Sequence, residues 1–151
     1  MAKIRGYATT EIIANATSVV CEMPDHEIGD LLVVFANKDG TVAINDPGGI
    51  WTSQQNQASA GAYGRLLTTV ATTNSHTLTL TTGTTDTWHI VVITVKNVDG
   101  SSPVVTTAKT GADDSTIPFG GVSGASTGAV TNCLILIGLS TDTGMAPTAY
   151  P

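Results

Sequence analysis

Three stretches of this chain, LLVVFA at 31–36, HIVVITV at 89–95 and CLILIGL at 133–139, are apolar at nearly every position. Successive side chains of a strand point to opposite sides of a sheet, so a strand with one wet face alternates between apolar and polar. These runs do not alternate. They are short, and their Val and Ile content suits a pleated surface. Strands of this kind need cover on both faces. One cover is a sandwich core, and the other is either the chain's own long loops or a neighbouring subunit.

The rest of the pattern is also β. Thr17–Met23 alternates, with Val19, Cys21 and Met23 on one face and Ser18, Val20 and Glu22 on the other. Leu31–Ala36 follows Gly29-Asp30 and stops at a turn, Asn37-Lys38-Asp39-Gly40. Further strands are expected over Tyr63–Ala71, Thr77–Thr81 (Leu78 and Leu80 inward), Trp88–Val98, Val104–Lys109, Ile117–Val122 and Asn132–Leu139. No helical periodicity of useful length occurs. Two-residue Asn-Gly turns are absent, which favours crossing connections over a simple meander. The expected fold is all-β, an antiparallel β-sandwich of jelly-roll or Greek-key type. Its domains would be an N-terminal arm at 1–14, a sandwich at 15–140 and a C-terminal tail at 141–151. The tail repeats the rhythm of strand, polar turn and proline loop seen after residue 36, so it reads as a docking arm or as the start of strands beyond Pro151.

Charge narrows the function classes. Only 12% of the 151 residues are charged, against roughly 25% in an ordinary domain. Thr is the commonest residue, and the net charge is −6. A hydroxyl-rich, weakly charged surface is suited to being covered in an assembly. An acidic surface repels phosphate, and the six basic residues Lys3, Arg5, Lys38, Arg65, Lys96 and Lys109 are scattered, which argues against nucleic-acid binding. No apolar run has the length of a membrane span. MAKIRGYATTEII lacks the apolar centre of a signal peptide, so the Asn15-Ala16-Thr17 sequon is not expected to be used.

Residues able to do chemistry are few and dispersed. Cys21 and Cys133 lie on separate expected strands, as buried reduced thiols or, if those strands are neighbours, as a disulfide. His26 sits among Asp25, Glu27 and Asp30 in PDHEIGD, an oxygen-rich loop without the ligand spacing of a calcium loop. His76 opens a Thr-rich strand and is expected to be exposed, and His89 to be half-buried at a strand start. Asp113-Asp114 and Asp99 read as turn acids, with Lys96 and Asn97 solvated beside Asp99. Gly121-Val122-Ser123-Gly124 misses the nucleophile-elbow spacing, and FGGVSGASTG has neither the lysine nor the helix of a phosphate loop. No catalytic residue, metal ligand or cofactor is assigned, and the chain is not expected to be an enzyme. For sugar binding by aromatic stacking, Trp51 is the one platform available in a loop. Trp88 belongs to an apolar strand and to the core.

The ordered series GDLLVVFANKDG, PGGIW, YGRLLTTVAT, TDTWHIVVITVKNVDGSSPV and VTNCLILIGLSTDTG resembles a family of bacteriophage virion proteins found among tail and capsid-surface genes. The family pattern has a Gly-Asp-Leu-Leu strand, a Pro-x-Gly-Trp loop, an Arg-Leu strand and a strand ending near Gly-Val-Asp. Here the loop is one residue longer, Pro47-Gly48-Gly49-Ile50-Trp51, and Asn97-Val98-Asp99 replaces Gly-Val-Asp. The resemblance covers roughly residues 15 to 151. It implies a β-sandwich or jelly-roll virion protein on the outer capsid surface, decorating or cementing the shell. The implied partners are the major capsid protein and further copies of the chain, with symmetry favouring a homotrimer. Contacts would fall on the terminal arms, at Met1, Lys3, Arg5, Tyr7 and Tyr150. The alternative is a tail- or fibre-associated module that binds host glycans through Trp51.

Overall fold

The structure, a computed structural model, describes residues 2–58 and 61–99. These residues are all β, without a helix. Five strands, β1 (Lys3–Val20), β2 (Leu31–Asp39), β3 (Thr52–Ala58), β4 (Ala62–Val70) and β5 (Thr79–Lys96), form one antiparallel sheet in the order β1-β5-β2-β4-β3. Only β3 and β4 are neighbours in both chain and sheet, so the connections cross, as expected from the lack of tight hairpin turns.

Register explains why LLVVFA and HIVVITV are apolar throughout. Residues directly opposite one another point to the same side of a sheet. On one side lie the rows Val34–Val92–Leu67 and Ala36–Ile90–Arg65, followed by Lys38–Trp88–Tyr63. On the other lie Leu31–Val95–Val70, Val33–Ile93–Thr68 and Phe35–Val91–Leu66. Each side has its own apolar cluster. The larger joins Leu32, Val34, Leu67, Trp88, Ile90 and Val92 to Val19, Cys21, Ile44, Leu78 and Leu80. The smaller centres on Leu31, Val33 and Val95, with Phe35, Leu66, Val70, Ile93, Ala2 and Val98 packed against it. Both faces of β2 are therefore buried. The expected alternations also hold: Val19 and Cys21 are buried while Ser18, Val20 and Glu22 are exposed, and Leu78 and Leu80 point inward.

β1 and β5 are each 18 residues long. Laid straight, such a strand would span about 60 Å. Instead their register breaks between Ile12 and Ala16 and again between Ala16 and Ser18. At this break the indole Nε1–H of fully buried Trp88 donates to the carbonyl of Ala16 (2.8 Å). Beyond it, Ser18–Val20 pair with Thr79–Thr81, and Ile44 bridges to Thr82. Residues of the larger cluster lie on both sides of this break.

Several expectations need correcting. The N-terminal arm at 1–14 is, from Lys3 on, the first part of β1, in register with β5 from Lys3↔Lys96 to Ile12↔Trp88. The strands expected at Thr77–Thr81 and Trp88–Val98 are parts of one strand, β5 (Thr79–Lys96), because Thr82–Thr87 stay extended between them. Residues 37–39 are the end of β2 rather than a turn, which comes at Gly40 (φ 76°). β3, TSQQNQA, was not expected at all. The strands expected at 104–109, 117–122 and 132–139, the acids Asp113 and Asp114, the glycine-rich stretch 119–128, Cys133 and the tail at 141–151 lie outside the described residues.

Candidate functional site

Among the described residues, a grouping of titratable side chains lies where the loop 21–30 meets the loop 71–78. Gly29, at φ 92°, reverses the chain, and Asp30 N–H donates to Glu27 O (3.0 Å). Backbone bonds Gly29 N–H to Ala71 O (2.8 Å) and Ala71 N–H to Asp30 O (2.7 Å) then tie the two loops together. Ile28 N–H adds a bond to Asn74 Oδ1 (3.2 Å).

Across this seam the His26 and His76 rings stack, with centroids 5.3 Å apart and planes 17° apart. His26 is buried, and its Nδ1 lies 2.8 Å from the carbonyl of Pro24. A carbonyl only accepts, so the proton is on Nδ1. Nε2 is buried without a hydrogen-bond partner. His76 receives the Thr72 N–H on its Nε2 (3.1 Å). Burial first, and the neighbouring His26 second, hold His76 below the ordinary imidazole value. His76 is thus half-buried against His26 rather than exposed. His89, expected at a strand start and half-buried, is an exposed residue in the middle of β5.

The carboxylates that made PDHEIGD an oxygen-rich loop are committed elsewhere. Arg5, on β1, donates from Nε to Asp30 Oδ2 (2.6 Å) and from Nη2 to Asp30 Oδ1 (3.4 Å). Its Nη1 and Nη2 reach Glu27 Oε1 (3.0 Å) and Oε2 (2.9 Å). Asp30 Oδ2 also accepts Glu27 N–H (2.9 Å). The guanidinium supplies the positive charge, and the loop is a clamp between β1 and the start of β2. Among the described residues no group of three or more His, Cys, Asp or Glu side chains is placed to hold a metal ion.

Two further charged pairs lie in the sheet. Lys38 has a fully buried side chain, and its Nζ reaches Asp86 Oδ2 (2.7 Å), Asp39 O (2.9 Å) and Gly40 O (3.4 Å). The ammonium's three donors are matched by three acceptors. Burial alone would raise the Asp86 value. Hydrogen bonds from Lys38 and Thr84, with the charge of Lys38, outweigh it and hold Asp86 below the usual carboxylate range. Arg65, on β4, is more than nine-tenths buried and has Asp46 Oδ2 3.6 Å from Nη1, while Nε and Nη1 make no hydrogen bond. Neither pair was legible as a site. Lys38 had been placed in a turn. Its parity with Leu32, Val34 and Ala36 was the signal that it points inward.

Trp51, the sugar-platform candidate, is only 8% exposed and belongs to the larger cluster. Gly48 and Gly49, both at positive φ, make the turn that carries it inward, closed by Trp51 N–H to Gly48 O (3.2 Å). Its ring offers no open face for stacking. Cys21 is a free, buried thiol, pushed up to about 12 by burial. Asn97 has positive φ (59°) in the turn after β5. Of the arm residues, Tyr7 is 72% exposed and Ile4 half exposed, Lys3 is exposed, and Arg5 is held in the clamp. Met1 and Tyr150 lie outside the described residues. No helix among the described residues is long and apolar enough to cross a membrane.

No protein-family model matches this chain, and no curated protein or solved structure matches it significantly.

Proposed function

We propose that this chain is a structural virion protein, a capsid decoration or cement protein. In this role it packs on the outer surface of a phage shell against the major capsid protein and neighbouring copies of itself. The observation that carries the reading is β1. It lies at the margin of the described sheet and exposes Ile4 and Tyr7 on its first half, with Val20 exposed at its far end beyond the register break. Large apolar side chains exposed on a marginal strand, in a chain of low charge density, are suited to being covered by a partner.

The sheet behind this strand is cross-braced. Arg5 ties β1 to the start of β2, and Lys38 ties β2 to β5. Such bracing suits a part that must present a fixed surface. The mechanism would be additive interface area: a protein that binds only the assembled shell stabilises it by mass action. The net charge of −6 fits the outside of a shell, away from packaged genome. A homotrimer is the expected assembly, because sites of threefold symmetry are abundant on shells.

Quantitative mass spectrometry of purified particles of the encoding phage tests the reading. Copies in the hundreds per particle, scaling with the major capsid protein, are expected. A handful of copies would place the protein in the tail, and none would overturn the virion reading.

A further inference from the structure

We propose that residues 72–77 form a strap that closes over His26 at neutral pH and lifts when His76 takes up a proton. This holds whether or not the protein belongs to a virion.

The strap is anchored at both ends and weakly held between them. Ala71 and Leu78, which flank it, are buried. Ala71 exchanges backbone bonds with Gly29 and Asp30, and the carbonyl of Leu78 accepts the Cys21 N–H (2.9 Å). The residues between, TTNSHT, include no aliphatic anchor, and all but His76 are exposed. Among the described residues, two ties hold this segment on the loop 21–30. One is the Ile28 N–H donated to Asn74 Oδ1 (3.2 Å), and the other is the stack of His76 on His26. Its remaining bonds close on the segment itself, from Thr72 N–H to His76 Nε2 and from the Thr73 hydroxyl to Ser75 O (2.7 Å). With so little apolar burial to hold it, the strap depends on the state of one ring.

A proton on His76 undoes that arrangement. Because Nε2 accepts the Thr72 N–H, the neutral ring carries its hydrogen on Nδ1. The next proton must go to Nε2, and an N–H there cannot accept from Thr72. The bond that folds the strap is lost, and a charge appears on a half-buried ring packed against His26. Lifting the strap returns that ring to water. Burial first, and His26 second, already hold His76 below the ordinary imidazole value, as a strap that closes on the neutral ring requires.

The charged groups around the pair do not reverse this. The loop 21–30 contributes Glu22, Asp25, Glu27 and Asp30, and β1 contributes Arg5. Glu27 and Asp30 are bound to Arg5, and Glu22 and Asp25 are exposed. None of these carboxylates is among the influences that set His76. The strap has no charged side chain of its own besides His76.

Amide hydrogen exchange of the full chain, read residue by residue by NMR and divided by the intrinsic rate at each pH, tests this. Between about pH 7.5 and about pH 5, protection of the Ile28 and Thr72 amides should fall by about tenfold for each unit separating the open and closed values of His76. Val34 and Val92, in the centre of the sheet, should keep theirs. Unchanged protection at Ile28 and Thr72 would overturn the proposal. So would an equal loss at Val34 and Val92, because the whole sheet rather than the strap would then be opening. His76→Gln, which does not titrate, should remove the pH dependence at Ile28, and its full persistence in that variant would also sink the proposal.

Discussion

Lys38 and Asp86 show how a single buried residue can set the stability of a sheet. Their pair is favourable only because every donor of the ammonium is matched. Lys38→Met leaves Asp86 without its cation and is expected to cost about 3–5 kcal/mol, read as a fall in the urea midpoint. The double replacement Lys38→Met with Asp86→Leu should recover much of that loss, since no charge is then stranded. Gly40 belongs to the same unit. It has positive φ, and a Cβ there would lie 2.8 Å from Asp86 Oδ1. Acid acts on this protein in two windows. His76 has a folded value below its unfolded value of about 6.5, so folding opposes its protonation. Its contribution is complete above that value and is lost as pH falls through the depressed one. Asp86 is likewise depressed. Its contribution is complete above about 3.9 and is lost at still lower pH. The urea midpoint is therefore expected to drop between pH 7.5 and 5.5. His76→Gln, whose amide oxygen can still accept the Thr72 N–H, should flatten that drop.

At the scale of elements, the β1–β5 ribbon depends on the irregularity at Ile12–Ser18. A register break frees backbone groups from the ladder, and here the Trp88 indole takes up the carbonyl of Ala16. Trp88→Phe preserves most of the apolar volume but strands that carbonyl. A loss of about 1–3 kcal/mol is expected, measured by thermal unfolding, with the far-ultraviolet circular dichroism of the folded state unchanged. Legibility also differed by element. β2 and the second half of β5 were visible because they are buried on both sides, which demands apolar residues throughout. β3 was invisible for the opposite reason. It pairs only with β4 among the described strands and keeps its side chains partly in water, so TSQQNQA carries no hydrophobic signal. The first half of β1 was taken for an arm; Gly6, Ala8, Thr9 and Thr10 carry little hydrophobic signal, yet Ala8 and Thr10 stand opposite Val92 and Ile90.

For the whole molecule, composition foretold the architecture better than it foretold the sites. Low charge and continuous apolar strands implied a sheet buried from two sides, and two apolar clusters flank this sheet. The clamps that join its parts were hidden, because Arg5 meets Glu27 and Asp30, and Lys38 meets Asp86, only after the strands have paired. No local spacing encodes such partners. The histidine stack is of the same kind, formed where two loops meet. Trp51 was ambiguous for a different reason: a tryptophan in a glycine-rich loop suits a sugar platform and a core anchor equally, and only the direction of the turn at Gly48-Gly49 decides between them.

The strand order also sets a timetable. β1 leaves the ribosome before the other four described strands, yet its only described partner is β5, the last of the five to be made, and β2 must wait for the same strand on one flank. Until residue 96 has emerged, the nascent chain can zip only β2 to β4 and β4 to β3. Nonlocal pairings of this sort delay folding, and during the delay LLVVFA has one edge open to other nascent chains. A protein with this layout is therefore most exposed to aggregation while it is being synthesised. Overproduction should be limited by how quickly β5 arrives rather than by how stable the finished sheet is.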